Sequence, residues 1–304
     1  MDMNRRDRLL FGISVTPYAE QYREIVDQVL AAERGGLDLV GIQDHPYQRR
    51  FLDTFALIAD LLARTHRLRF FPDVASLPMR APTMMAKAAA SLDLMSGGRF
   101  ELGIGAGAFW DAVAGMGGVV RERNERLAAL EEAIQIIREA LDVGPERRVV
   151  RGPGPHYPIP GYPPGPAPAH RVKIWVGAMS PRSLAMIGRL ADGWVPGAGA
   201  SRVAEFPTLT ARIDEAAIAA GRDPKAIRRV VNISGSIGRG ERADRGASVA
   251  GPLDGPPAHW IETLTTWGID LGIDGFVFWP PDPGTTQIER FAAEIVPAVR
   301  ELMG

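Results

Sequence analysis

Short apolar runs alternate along the whole chain with longer stretches whose apolar residues recur every three or four positions. The first kind fits strands covered on both faces, and the second fits amphipathic helices. Residues 9–15 read as a strand and 20–34 as a helix, with Ile25, Val26, Val29 and Leu30 at helical spacing and Gly35-Gly36 as its stop. The pattern repeats as strand 38–42 and helix 52–64, strand 68–74 and helix 82–96, strand 99–104 and helix 122–141. It continues as strand 172–176 and a helix from Pro181, strand 193–195 and helix 203–219, strand 229–234 and helix 258–271, strand 275–279 and helix 286–302. Strict alternation predicts parallel strands joined by right-handed crossovers. Eight such units in 304 residues predict a closed α/β barrel, the (β/α)8 TIM barrel, as one domain over 1–304. A doubly wound open sheet is the alternative.

Two stretches break the rhythm. Residues 144–170 hold nine prolines and five glycines, too many for a helix or a central strand, and 238–257 is a second Gly/Pro-rich, charged insertion. Long loops in a compact domain are commonly lids or binding loops, so both are expected over the C-terminal mouth of the barrel.

Composition narrows the chemistry. A formal net charge of −1 gives no overall pull toward nucleic acid or an anionic membrane. The chain has no cysteine, which excludes disulfides and thiolate metal sites. No His-X-His pair, Gly-X-Ser-X-Gly elbow or P-loop occurs, so no metal is expected. No apolar run approaches the ~18 residues of a membrane span, and a soluble cytoplasmic protein acting on a small molecule is expected.

In such a barrel the active site gathers at the C-terminal ends of the strands. The second strand ends in Asp44-His45, and His, with an ordinary pKa of ~6.5, exchanges protons near neutrality. A polar turn before Pro46 is the plainer reading of the same pair. The third strand carries Pro72 and Asp73 ahead of Val74 and Ala75, which points to a bulge, structural or functional. The fourth ends Gly105-Ala106-Gly107-Ala108-Phe109-Trp110-Asp111, small residues that let a flat or phosphorylated ligand approach the backbone; a bend with no ligand reads equally well. The fifth ends Gly177-Ala178-Met179-Ser180-Pro181, where a capped helix start makes a phosphate seat or simply an ordinary cap. Phe278 and Trp279 end the eighth, as an aromatic wall or as barrel packing.

Three blocks carry a resemblance: Ala31-Ala32-Glu33-Arg34-Gly35-Gly36-Leu37-Asp38 leading to Asp44-His45, the run from Ala88 to Gly107 containing Met95-Ser96-Gly97-Gly98-Arg99-Phe100, and Ala191-Asp192-Gly193-Trp194. Together they resemble the bacterial luciferase-like superfamily of flavin- and deazaflavin-dependent oxidoreductases, over almost the whole length. The resemblance implies the barrel, an active-site histidine at His45 with Asp44 beside the ring edge, and a non-prolyl cis peptide at Asp73-Val74 behind the ring, next to Ala75. It also implies a cofactor lining from Gly105 to Ala108 with Asp111, and a phosphate seat at Gly177, Ala178, Met179 and Ser180.

The chain is more similar to the branch that uses coenzyme F420. The arginine that helps bind the FMN phosphate in the luciferase-type branch is replaced by Ala106. The catalytic glutamate and the tryptophan of the F420-dependent sugar-phosphate dehydrogenases fall on Ala108 and Arg49, and Glu20 is offset by two residues from another family acid. The resemblance therefore implies F420-dependent hydride transfer to or from a small organic substrate by a homodimer. One alternative is an FMN-dependent monooxygenase fed by a flavin reductase; another is a non-catalytic flavin-binding relative.

Overall fold

A computed structural model of the chain describes residues 9–144, 149–196, 203–238 and 253–304. Nine short strands form one sheet: β1 (Leu10–Val15), β2 (Leu39–Ile42), β3 (Arg69–Pro72), β4 (Ala75–Ser76), β5 (Leu102–Gly105), β6 (Ile174–Val176), β7 (Gly193–Trp194), β8 (Arg228–Ser234) and β9 (Gly275–Trp279). Their order is β3-β2-β1-β9-β8-β7-β6-β5-β4, with every neighbouring pair parallel. The two ends of that order are consecutive in the chain. β3 and β4 are one stave broken by Asp73-Val74, and a parallel bridge between Phe70 and Phe100 closes the ring. The sheet is thus the expected barrel of eight staves, and not an open sheet.

Each stave alternates its contacts. Phe11, Ile13, Val40 and Ile42 pack outward against the helices, while Leu10, Leu39, Phe71, Trp175, Val195, Val230 and Val277 form a separate apolar plug inside the barrel. Both faces are dry, which is why the strands read as continuous apolar runs. The helices are closed by caps at their ends. Gly36 turns the chain at φ +73° after Tyr22–Arg34, Asp53 accepts from the Ala56 amide at 2.9 Å to start Thr54–Arg64, and Gly97 ends Pro82–Ser96 in the left-handed region.

Four details differ from expectation. A short helix, Trp110–Gly115, follows β5, and the next begins at Glu125. The C-terminal helix is interrupted by one π turn at Phe291–Ile295. The segment expected as a first lid is, over 149–170, a strap on the outer wall. Glu132, midway along Glu125–Leu141, accepts from the amides of His156 and Tyr157 at 2.9 and 2.7 Å, and His170 is fastened to Asp93 and Glu101 at the opposite end of the barrel from His45. The physical reason is that a proline-rich chain offers few amides for a ladder: those of His156, Tyr157 and His170 go to Glu132 and Asp93 on the helices, and those of Val150, Gly152, Ile159 and Tyr162 pair within the strap itself. Of the second insertion, 239–252 lie outside the described residues; what remains is a bridge from Ile237 to Gly255 before helix Pro257–Leu271. Among the described residues no helix is long and apolar enough to cross a membrane.

Candidate active site

The broken third stave shapes the mouth. The Asp73-Val74 peptide is cis, and Val74 rests on the apolar plug at the barrel axis. Its neighbours make room by having no side chain. A Cβ on Gly105 or Gly177 would stand 2.9 or 3.0 Å from Val74 Cγ2, and one on Gly103 would stand 2.1 Å from the Pro72 carbonyl. The contact with a carbonyl makes glycine at 103 a packing requirement, and a side chain at 105 or 177 would press on Val74. Val74, part-exposed, thereby forms a floor on the plug at the C-terminal end of the barrel.

Asp73 sits beside that floor. Its Oδ1 accepts from Asn232 Nδ2 at 3.3 Å, and Asn232 Oδ1 in turn accepts from Trp279 Nε1 at 2.7 Å. Oδ2 is buried without a hydrogen-bond partner, against the position where Gly41 lacks a side chain. Burial raises the Asp73 carboxyl to about 7, against the pull of the Asn232 hydrogen bond. A carboxylic acid that stays neutral near neutrality is characteristic of a dry pocket.

His45 stands half-buried at the end of β2, ringed by Tyr47, Phe51 and Phe109 at centroid distances of 5.6, 6.4 and 5.5 Å. Its Nδ1 is 2.8 Å from the Tyr47 hydroxyl. Burial lowers its pKa while Asp44 works the other way, so the ring is neutral at physiological pH. Burial, followed by the Asp44 charge, holds the Tyr47 phenol at about 12.

The remaining expected residues divide into mouth and wall. Ala106 and Gly107 are part-exposed and Ala108 exposed where β5 opens, with Gly107 at φ +102°. Gly177, Ala178 and Met179 line the end of β6 part-exposed, and Ser180 caps helix Pro181–Leu190 by accepting from the Ser183 amide at 3.2 Å. Asp111 points from the exposed side of its short helix. Two of the expected residues are buried in the wall. Asp44 is only 2% exposed and belongs to the wall: Oδ2 accepts from the Ser76 amide at 2.9 Å, and Oδ1 faces Arg80 at 3.6 Å. Ala75 is fully buried, paired with Ile104 in the sheet. Both are fixed by the ladder that restarts after the bulge. Glu20 forms a surface ion pair with Arg50, and Arg49 is exposed.

Tyr47, Arg80 and Asn232 are the residues that sequence reasoning missed. Asn232 is a polar residue inside the apolar run Val230–Ile233, and strand alternation from Val230 would have placed it inward. Tyr47 and Arg80 lie in irregular segments where no periodicity marks them.

The family model for luciferase-like monooxygenases matches residues 8–259. The chain belongs to that family. Among its luciferase-like relatives, an F420-dependent glucose-6-phosphate dehydrogenase of Gordonia bronchialis is 33% identical over 71% of this chain, and the match spans 65% of the relative's length. A 5,10-methylenetetrahydromethanopterin reductase of Archaeoglobus fulgidus is 29% identical over 83% of this chain and 72% of its own. The solved coenzyme F420-dependent tetrahydromethanopterin reductase of Methanopyrus kandleri superposes with a TM-score of 0.79 over 95% of this chain and 99% of that one, at 19% identity. This last likeness is one of fold.

Proposed function

We propose that the protein is an oxidoreductase that uses coenzyme F420 to transfer hydride to or from a small organic substrate, with His45 as its acid–base group. The observation that carries this reading is the broken third stave: a part-exposed Val74 set between glycines, with the unpartnered buried carboxyl oxygen of Asp73 next to it in the chain and a neutral imidazole just past the end of the neighbouring strand. Gly105–Ala108 would approach the ring and Gly177–Ser180 its phosphate, since backbone amides at a helix start favour anions. Bound there, the coenzyme supplies the two-electron chemistry. The protein orients the ring on Val74, excludes water from one face, and moves a proton at His45 Nε2. The name of the Gordonia relative supports the coenzyme. A sugar phosphate is not carried over, because Ala108 and Arg49 stand where that branch has its glutamate and tryptophan.

One barrel domain over 1–304, a cytoplasmic setting and a homodimer complete the reading, and no flavin reductase is needed. Titration of purified protein with F420 and, separately, with FMN, followed by fluorescence, tests it. Saturable F420 binding is expected; FMN binding with none of F420 would replace the reading by a flavin monooxygenase. His45→Ala is expected to keep F420 affinity within a few-fold while turnover falls by ~10²–10⁴, the usual worth of acid–base help. Unchanged turnover would remove His45 from the chemistry.

A further inference from the structure

We propose that Tyr47 is a positioning residue that fixes the tautomer of His45 and thereby the direction in which the site moves a proton. The Tyr47 oxygen is 2.8 Å from His45 Nδ1 and 3.5 Å from the Ala108 carbonyl oxygen. A backbone carbonyl only accepts, so in the proposed arrangement the phenol turns its proton to Ala108 and its oxygen accepts the Nδ1 proton of His45. The neutral imidazole then keeps its lone pair on Nε2. Phe109, at φ 53°, holds the arrangement: its ring meets His45 edge-on at 5.5 Å and Tyr47 at 5.9 Å. The charge that acts on both rings is Asp44 on their own segment, itself facing Arg80; the groups packed from the β5 side, Ala108 and Phe109, carry none.

This inference rests on the oxidoreductase reading and sharpens it. An imidazole with a free Nε2 lone pair is set to take a proton, which selects a hydroxyl-bearing substrate over a carbonyl or alkene. The substrate O–H bond breaks and the proton goes to Nε2. The electron pair left on oxygen becomes the second C–O bond, as the carbon's hydride passes to the coenzyme named above.

The tautomer can be read without coenzyme or substrate. Long-range nitrogen-15 correlations on histidine-labelled apoprotein distinguish the two ring nitrogens, and with five histidines in the chain the His45 signals are assigned by their loss in His45→Asn. Protonation at Nδ1 with a bare Nε2 is expected; a proton on Nε2 in the wild-type protein overturns the proposal. In Tyr47→Phe the proton is expected to move toward Nε2, with alcohol oxidation slowed about 10- to 100-fold, KM held within about threefold and the acid limb of the pH–rate profile displaced. An unchanged tautomer in that variant also overturns the proposal, and the wild-type spectrum decides even where the variant does not fold. Failure of the F420 titration would strike the functional reading and leave this result standing, so the two are separable.

Discussion

His45 and Asp73 show what one cause does to opposite kinds of group. Burial lowers the imidazole and raises the carboxyl, so each is driven toward its uncharged form at the same pH. For Asp73 this has a consequence for folding. The folded carboxyl keeps its proton up to about 7, whereas the ordinary value is 3.8, so between those values the folded state holds more protons than the unfolded one. Stability therefore falls as pH rises through that window, and Asp73→Asn is expected to remove the slope. At pH 8 the variant should match or exceed the wild type by about 1–2 kcal/mol, a figure discounted for the solvent that reaches part of the residue. Urea unfolding of both proteins at acid and alkaline pH measures it; parallel profiles would show that Asp73 is charged in the fold. The residue scale is also where the sequence is least legible. His45 announces itself because it ends a strand. Tyr47 and Asn232 do not, because their meaning lies in partners 61 and 159 residues away.

At the scale of elements, the third stave is the most informative piece. Its composition, a proline and an acid inside an apolar run, marks a bulge, and the family resemblance adds the cis peptide that the structure contains. What neither says is why two other strands, β5 and β6, carry glycines toward their C-terminal ends. The answer is spatial: Gly103, Gly105 and Gly177 accommodate the backbone of Pro72 and the side chain of Val74. Gly103→Ala, whose Cβ would meet a carbonyl rather than a pliable side chain, is expected to cost ~3 kcal/mol or more, because the backbone of the bulge has to shift. Thermal unfolding checks it, and a variant as stable as the wild type would mean that the bulge is not held by this contact. The strap over 149–170 was visible as a rule-breaker, but its destination was not. Proline density says that a segment cannot join a sheet; it does not say which carboxylates will hold it.

For the whole molecule, periodicity alone reaches the architecture: each strand–helix unit is read locally, and eight of them close. Assembly is less local. Helix Pro82–Ser96 contains one lysine and one aspartate, the latter fully buried, and exposes Met84 and Met95 at 64% and 76%. A helix apolar on both sides needs a cover, which agrees with the proposed homodimer. Light scattering of the double variant Met84→Glu/Met95→Glu is expected to give the mass of one chain, with the wild type giving two; a dimeric variant would move the interface elsewhere.

The Val74 floor also bears on how ligands are told apart. Because the axis is plugged, nothing can be threaded down the barrel, and a guest must spread sideways across its top. Discrimination then depends on outline and thickness rather than on length, and long tails are free to trail over the rim toward bulk water. Substrates that differ only in what they carry far from the reacting carbon should be handled alike.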